Sequence, residues 1–132
     1  MKTICFASKK GGVSKTTSAL IAGLMLAEKS RVLMVDLDSQ NAMTSFFFDD
    51  LGEISGKTVL EALKGEKLFK QAIFEVSDTV HVIPSVLEFE EIDDWQRTGK
   101  ELLLRKELKK LEGQYDYVIL DTPPNLRTET VL

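Results

Sequence analysis

Four short apolar runs divide the chain, and each of them ends in polar or turn-forming residues. They lie at 4–7, 32–35, 80–83 and 117–120. Three of the four are nearly continuous rather than alternating, which is typical of strands buried on both faces of a parallel sheet. The pattern therefore predicts four strands in a covered sheet.

Segments with helical spacing of apolar residues lie between these runs, at 15–29, 58–64, 67–74 and 99–111. The first is apolar around most of its circumference, which predicts a well-buried helix. The last has the amphipathic pattern of a surface helix. Strands and helices thus alternate, which favours right-handed βαβ crossovers. We predict an α/β fold with a mostly parallel sheet covered by helices on both faces.

Length and composition narrow the class of protein. The chain has 132 residues, a formal net charge of −4, one cysteine and one histidine. An internal disulfide is excluded, as is a zinc site of the usual nitrogen and sulfur ligands. The acidic balance disfavours a globally basic nucleic-acid binder. A four-stranded sheet is small for this class. We therefore expect residues 1–132 to form one domain that is the N-terminal part of a longer domain and that lacks the C-terminal strands and helices of that domain. A naturally compact variant is the alternative.

A glycine-bearing turn joins the first apolar run to the first helical segment. Backbone N–H groups of such a turn, together with the positive end of the helix that follows, form an anion site. Gly11 and Gly12 allow close approach of a phosphate oxygen. Lys15 can reach the β- and γ-phosphates, and the hydroxyl of Thr16 is placed to ligate Mg²⁺. The ordinary phosphate-loop pattern is not met, because lysine and serine stand at its two glycine positions.

Aspartates follow two of the buried runs. Asp36 and Asp38 come after the second run, and Asp121 ends the fourth. The carboxyl ends of parallel strands meet at the sheet edge where ligands bind. A hydrophobic strand that ends in aspartate is the Walker B arrangement, whose carboxylate holds Mg²⁺. We therefore expect Lys15, Asp38 and Asp121 to converge around a magnesium-bound triphosphate.

Three stretches together resemble the ParA/MinD family of ATPases. Residues 10–17 (KGGVSKTT) resemble its deviant Walker A loop, KGGVGKTT, with Ser14 in place of a glycine. Residues 36–42 (DLDSQNA) resemble the family's DLDPQGNA segment, and residues 115–124 (YDYVILDTPP) resemble its Walker B motif, YDYIIIDxPP. The second stretch is more similar to the ParA/Soj branch of chromosome and plasmid partition proteins than to the Min branch. The resemblance implies a P-loop NTPase-like fold.

The resemblance also implies an ATP site and assigns its residues. The nucleotide-binding residues would be Lys10, Gly11, Gly12, Val13, Ser14, Lys15, Thr16 and Thr17. The catalytic residues would be Lys10, Lys15 and Asp38, of which Lys10 would reach the partner's nucleotide across a dimer interface and Asp38 would position the attacking water. The metal residues would be Thr16, Asp36 and Asp121. The cofactors would be ATP or ADP and Mg²⁺.

By resemblance, the protein is a cytoplasmic ATPase that drives plasmid or chromosome segregation. ATP would favour a homodimer, which in the full-length protein binds DNA without sequence preference and associates with the nucleoid. A ParB-like partner would stimulate hydrolysis, and no membrane contact is expected. In the family, the adenine pocket and the basic DNA-binding patch lie largely beyond the Walker B strand. We therefore expect weak nucleotide binding, little turnover and poor DNA affinity from this chain alone.

Three alternatives stay open. The protein could be a nucleotide-binding regulator with little ATPase activity, because of Ser14 or because of truncation. A MinD-like ATPase recruited to membranes would carry a C-terminal amphipathic helix. A purely structural α/β domain would have a melting temperature that does not depend on ATP.

Overall fold

The computed structural model describes residues 1–7, 13–86 and 99–123, with only the backbone of Val13 and Ser14. The strands are β1 (Lys2–Phe6), β2 (Val32–Asp36), β3 (Phe74–Glu75), β4 (Val80–Ile83) and β5 (Tyr117–Asp121). The α-helices are α1 (Val13–Leu26), α2 (Ala42–Phe47), α3 (Val59–Leu63) and α4 (Lys100–Lys109). Two single-turn 3₁₀ helices span Leu51–Ile54 and Phe69–Ala72.

The strands form one sheet in the order β1-β5-β2-β4-β3. The first four are parallel, and β3 runs antiparallel to β4 at one side. Asp121 pairs in register with Phe6 on one neighbour and with Asp36 on the other. The carboxyl ends of β1, β5 and β2 are therefore level, so the loops that follow them start at one edge of the sheet.

Strand β2 separates two hydrophobic clusters, one on each face of the sheet. Its side chains alternate, so that Leu33 and Val35 belong to the cluster covered by α3 and α4. Val32 and Met34 belong to the cluster covered by α1 and α2. Helix α1 lies close to the sheet, since a Cβ atom at Gly23 would be 2.5 Å from Met34 Cε. Both faces are covered by helices, which confirms the predicted fold class.

Helix α3 begins with a capping box. The hydroxyl of Thr58 accepts a hydrogen bond from Leu60 N at 3.2 Å, and Glu61 Oε1 accepts one from Thr58 N at 2.8 Å. These contacts satisfy N–H groups that have no partner within the first helical turn. Within the described parts of the chain, no helix is both long and apolar enough to cross a lipid bilayer.

Two details of the expected architecture were wrong. The sheet has five strands rather than four, because the short β3 adds to β4. The segment 67–74 is not a helix beyond the 3₁₀ turn at Phe69–Ala72. Its end is extended, because Phe74 pairs with Val82 and its ring packs against Phe48, with the ring centroids 5.3 Å apart. Tertiary packing thus overrides a local helical pattern there.

Candidate functional site

The ammonium group of Lys15, in the first turn of α1, joins three segments of the chain. Its Nζ lies 2.9 Å from Asp38 Oδ2 and 2.9 Å from Asp121 Oδ1. It also donates a hydrogen bond to the carbonyl oxygen of Thr122 at 2.7 Å. The Lys15 side chain is only 4% exposed. The structure therefore brings together Lys15, Asp38 and Asp121, which the sequence analysis expects at one edge of the sheet.

The surroundings of Lys15 keep it charged. Burial alone would lower the pKa of its ammonium group, but hydrogen bonds to Asp38 and Asp121, and the negative charge of both, raise that pKa above its ordinary 10.5. A buried charge is tolerated only where it is paired and hydrogen-bonded. At neutral pH Lys15 is thus a fixed positive charge at the carboxyl edge of the sheet.

Asp121, which ends β5, is fully buried beside Thr16. Its Oδ2 accepts a hydrogen bond from Thr16 Oγ1 at 2.8 Å. Its Oδ1 lies 2.9 Å from Lys15 Nζ and forms an ion pair with it. Hydroxyl and carboxylate oxygens are the ligands that Mg²⁺ takes, commonly one or two from the protein beside phosphate oxygens. The Thr16–Asp121 pair therefore fits a magnesium ion that arrives with a phosphate ligand.

That pair is not a metal centre made by protein groups alone. In residues 1–7, 13–86 and 99–123, no group of three or more His, Cys, Asp or Glu side chains could hold a metal ion.

Asp36 lies next to Asp121 in the sheet but has different partners. Its Oδ2 accepts hydrogen bonds from the N–H group and the hydroxyl of Thr44, at 2.9 and 2.7 Å. Its Oδ1 accepts one from Asp38 N at 3.0 Å. Burial raises the pKa of Asp36 to about 7, and these hydrogen bonds oppose the rise. Both oxygens of Asp36 thus hold the segment after β2, and its role at the metal stays a prediction.

The segment after β2 is held in a tight turn that fixes Asp38. Gln40 N donates to Asp38 Oδ1 at 3.0 Å, and Asn41 N donates to the Asp38 carbonyl at 2.9 Å. Asn41 has a φ of 45°, in the left-handed region that asparagine tolerates better than most residues. Ser85 N, after β4, donates to Thr44 Oγ1 at 2.8 Å. The turn that carries Asp38 is therefore tied to two strand ends.

The remaining predicted site residues lie in or before α1. Val13 and Ser14 are in its first turn. Ser14 therefore has a helical backbone, and the strain that a positive φ would impose on a serine does not arise. Thr17 is exposed on α1. Lys10, Gly11 and Gly12 lie outside the described residues. The roles given to all of these residues stay predictions.

Two residues of the site were missed by sequence reasoning. Thr122 acts through its backbone carbonyl, which any residue would supply, so its identity carries no signal. Thr44 is fully buried and bridges Asp36 to the end of β4. The available signal was a pair of small polar residues, Thr44 and Ser45, in the otherwise apolar stretch 42–48, and sequence spacing alone does not link Thr44 to Asp36.

The carboxyl edge of this parallel sheet carries a lysine and a threonine from the start of a helix, together with aspartates at the ends of two strands. This arrangement defines a P-loop NTPase-like protein. A family model described as "AAA domain" matches residues 1–132. The chain belongs to this family.

Curated relatives confirm the resemblance to ParA-type partition proteins. The chain is 32% identical over 129 residues to the chromosome partitioning protein ParA of Myxococcus xanthus, covering 95% of this chain and 45% of the relative. It is 33% identical over 127 residues to the maintenance of carboxysome distribution protein A of Synechococcus elongatus, covering 94% of this chain and 50% of the relative. The chain spans about half the length of the curated relatives it matches.

Solved structures show the same fold. A putative plasmid partition protein from Borrelia burgdorferi B31 bound to AMPPNP superposes with a TM-score of 0.84 at 32% identity, over 98% of this chain and 57% of that protein. Cobyrinic acid a,c-diamide synthase from Mycobacterium smegmatis, with bound ATP analog and magnesium, gives 0.83 at 33% identity, over 98% and 54%. The fold is therefore shared by proteins with different names.

Proposed function

We propose that this protein is a ParA-like ATPase, which binds ATP·Mg²⁺ at the Lys15 site and hydrolyses it to drive plasmid or chromosome segregation. The observation that carries the proposal is the position of Lys15 Nζ, 2.9 Å from both Asp38 and Asp121. Thr16 donates to the same Asp121 carboxylate. A lysine, a hydroxyl and two carboxylates at one sheet edge are groups that phosphoryl-transfer sites use.

Each residue of this group has a role that follows from its chemistry. Lys15 would neutralise phosphate oxygens, exchanging contacts with carboxylates for contacts with the nucleotide. Thr16 and Asp121 would hold Mg²⁺, which supplies charge neutralisation of the phosphates. The Asp38 side chain is 15% exposed, so it faces both Lys15 and the open edge of the site. From there it would orient the water that attacks the terminal phosphate.

The bound molecules in similar proteins support ATP or ADP and Mg²⁺ as the cofactors. The Borrelia partition protein was solved with AMPPNP, and the Mycobacterium synthase with an ATP analog and magnesium in one structure and with ADP and magnesium in another. Each of these proteins is 32–33% identical to this chain over 98% of this chain, which covers 54–57% of their own length. The Thr16–Asp121 pair is the part of this chain that would meet the metal.

For the whole protein we propose an ATP-dependent homodimer through Lys10, DNA binding without sequence preference, stimulation by a ParB-like partner, and a cytoplasmic, nucleoid-associated location. Relatives named for carboxysome distribution and for chromosome partitioning are similar to this chain to nearly the same degree. The cargo is therefore proposed from the stretch 36–42, which is of partition type, and not from overall similarity.

Phosphate release by the full-length protein tests the proposal. We expect ATP- and Mg²⁺-dependent release that falls by about 100-fold or more in Asp38→Ala, because general-base and water-positioning groups contribute that much. Asp49→Ala, an exposed aspartate beyond α2, is the matched control and should release phosphate at the original rate. Equal release by Asp38→Ala and the unchanged protein would favour the regulator. A melting temperature that ATP·Mg²⁺ does not raise would favour a purely structural domain.

A further inference from the structure

A cavity of about 440 Å³ lies between the 3₁₀ turn Phe69–Ala72 and α4, away from the Lys15 site. Apolar side chains that line it include Leu68, Phe69, Leu103 and Leu111. Three lysines line it as well: Lys67, Lys70 and Lys110. We name this cavity the lysine-rimmed groove. Its wall includes the end of α4 and the turn that leads into the start of β5, whereas Lys15 is at the opposite, carboxyl edge of the sheet.

The groove offers apolar surface that is already in place. Leu68 is 60% exposed, while Phe69 and Leu111, which also line the groove, are 6% and 7% exposed. Leu68 is not on a loose segment, because its N–H group donates to Gln71 Oε1 at 2.8 Å. Lys67 N donates to the Glu61 carbonyl, in the middle of α3, at 3.3 Å. A surface ordered before binding loses little conformational freedom when a partner arrives.

The two walls of the groove are also joined to each other. Lys100 Nζ, in the first turn of α4, donates to the carbonyl oxygen of Leu63 at the end of α3 at 2.8 Å. This contact spans 37 positions of the sequence. The separation of the walls is therefore set within the fold.

The charge around the groove is opposite in sign to that of the chain. The charged residues that line it are three lysines and Glu107, a sum of +2, whereas the chain carries −4. Lys110 pairs with Glu107 at 2.9 Å on the same helix. Within the described residues, Lys67 and Lys70 are exposed and form no ion pair. A local basic rim on an acidic protein steers acidic partners toward it.

We propose that the lysine-rimmed groove is a docking site for an acidic amphipathic segment of a partner protein. Apolar side chains of that segment would lie against Leu68, Leu103 and Leu111, with carboxylates beside Lys67 and Lys70. Helix-in-groove recognition has this combination of apolar anchors and a charged rim. A nucleic-acid backbone would make no use of apolar lining, and a bilayer engages protruding rather than concave apolar surface. The site does not depend on nucleotide binding at Lys15.

A labelled peptide tests the groove directly. The probe is a short helical peptide with leucine at every third or fourth position and glutamate elsewhere. Its binding to the full-length protein is measured by fluorescence anisotropy. Lys67→Glu combined with Lys70→Glu should weaken its binding by about tenfold or more, because both rim charges change sign. Leu68→Ser should weaken it by about threefold or more through lost apolar contact. Lys29→Glu combined with Lys57→Glu carries the same charge change on exposed lysines outside the groove and should leave binding nearly unchanged.

Several results would overturn the proposal. One is equal binding of a peptide with serine in place of leucine, which would show charge attraction alone. Another is equal weakening by the control pair Lys29→Glu and Lys57→Glu. A third is a failure of the peptide to bind while duplex DNA or anionic lipid vesicles bind through Lys67 and Lys70. A fourth is self-association, seen by sedimentation and abolished by Leu68→Ser. ATP·Mg²⁺ affinity, measured on each variant, should not change, which separates failure here from failure of the ATP site.

Discussion

The ends of β2 and β5 lie side by side, and each carries a fully buried aspartate. At β2, Asp36 accepts hydrogen bonds from backbone N–H groups and from the Thr44 hydroxyl. At β5, Asp121 faces the Lys15 ammonium and the Thr16 hydroxyl. Two identical side chains, level in one sheet, thus have different chemistry because their neighbours differ.

Hydrogen bonds at the β2 end fix the conformation of the segment that follows, whereas an ion pair with Lys15 forms at the β5 end. Neutral donors fix Asp36 but provide no cation, so burial dominates and its pKa rises to about 7. Asp121 lies beside a fixed positive charge and a hydroxyl group, both of which a phosphate–magnesium ligand could use. Asp36 is therefore held by neutral donors, whereas Asp121 is paired with Lys15.

Removal of the charge at the β5 end should have the most severe consequence. Lys15→Ala leaves the buried Asp121 without its cation, which costs about 3–5 kcal/mol in the free energy of unfolding. It should also reduce ATP hydrolysis by at least about 100-fold. Denaturant unfolding and phosphate release are the measurements, and the exposed Lys29→Ala is the control. Unchanged stability in Lys15→Ala would show that this ion-pair group contributes nothing to the fold.

A substitution at Asp38 separates catalysis from binding. Asp38→Asn keeps the size of the side chain but not its charge, so turnover should fall by about 100-fold or more. ATP affinity should stay within about threefold, because Lys15 still pairs with Asp121. Single-turnover hydrolysis and equilibrium titration distinguish the two quantities. A loss confined to affinity would assign Asp38 to binding instead of water positioning.

The β2 end should respond in stability and not in nucleotide affinity. Thr44→Val keeps the shape but removes the hydroxyl that donates to Asp36 and accepts from Ser85 N. Leaving these buried groups without a partner costs about 1–3 kcal/mol in the free energy of unfolding. Thr79→Val, at a half-buried position, is the matched control. A large loss of ATP affinity in Thr44→Val, with stability unchanged, would reverse the roles assigned to the two strand ends.

The titration of Asp36 should change stability gradually, by a small amount for each pH unit. Its pKa is about 7 in the folded protein and 3.8 in an unfolded chain, so the folded state binds the proton more tightly. Its contribution to stability is therefore complete below pH 3.8 and is lost as the pH rises through about 7. The free energy of unfolding should fall by up to about 1.4 kcal/mol per pH unit in this window. Asp36→Asn should remove that slope, and a slope that survives would assign the titration to another group.

Sequence patterns predicted the parts of the fold that repeat a simple period. The buried strands at 32–35 and 80–83 and the helix at 99–111 follow from continuous or amphipathic apolar spacing, and the structure places β2, β4 and α4 there. The 3₁₀ turn and β3 at 69–75 could not be predicted, because the pairing of Phe74 with Val82 is a tertiary contact.

The same limit applies to the site. Lys15, Asp38 and Asp121 could be grouped in advance, since strand-end carboxylates and a helix-start lysine meet at one edge of any parallel sheet. The different environments of Asp36 and Asp121 could not be predicted, because they depend on which donors lie within about 3 Å of each carboxylate. The carbonyl of Thr122 carries no sequence signal at all. Residues that act through their backbone or through distant partners are therefore found only in the structure.

Titration calorimetry of AMPPNP against the full-length protein, across a series of Mg²⁺ concentrations, tests most directly whether the three segments form one triphosphate–magnesium site. Mg²⁺ should strengthen nucleotide binding in the unchanged protein. In Asp121→Asn that strengthening should fall by about tenfold or more, as expected when a carboxylate at a metal site is lost. The same Mg²⁺ dependence in both proteins would contradict the assignment of the Lys15, Thr16 and Asp121 group to nucleotide binding.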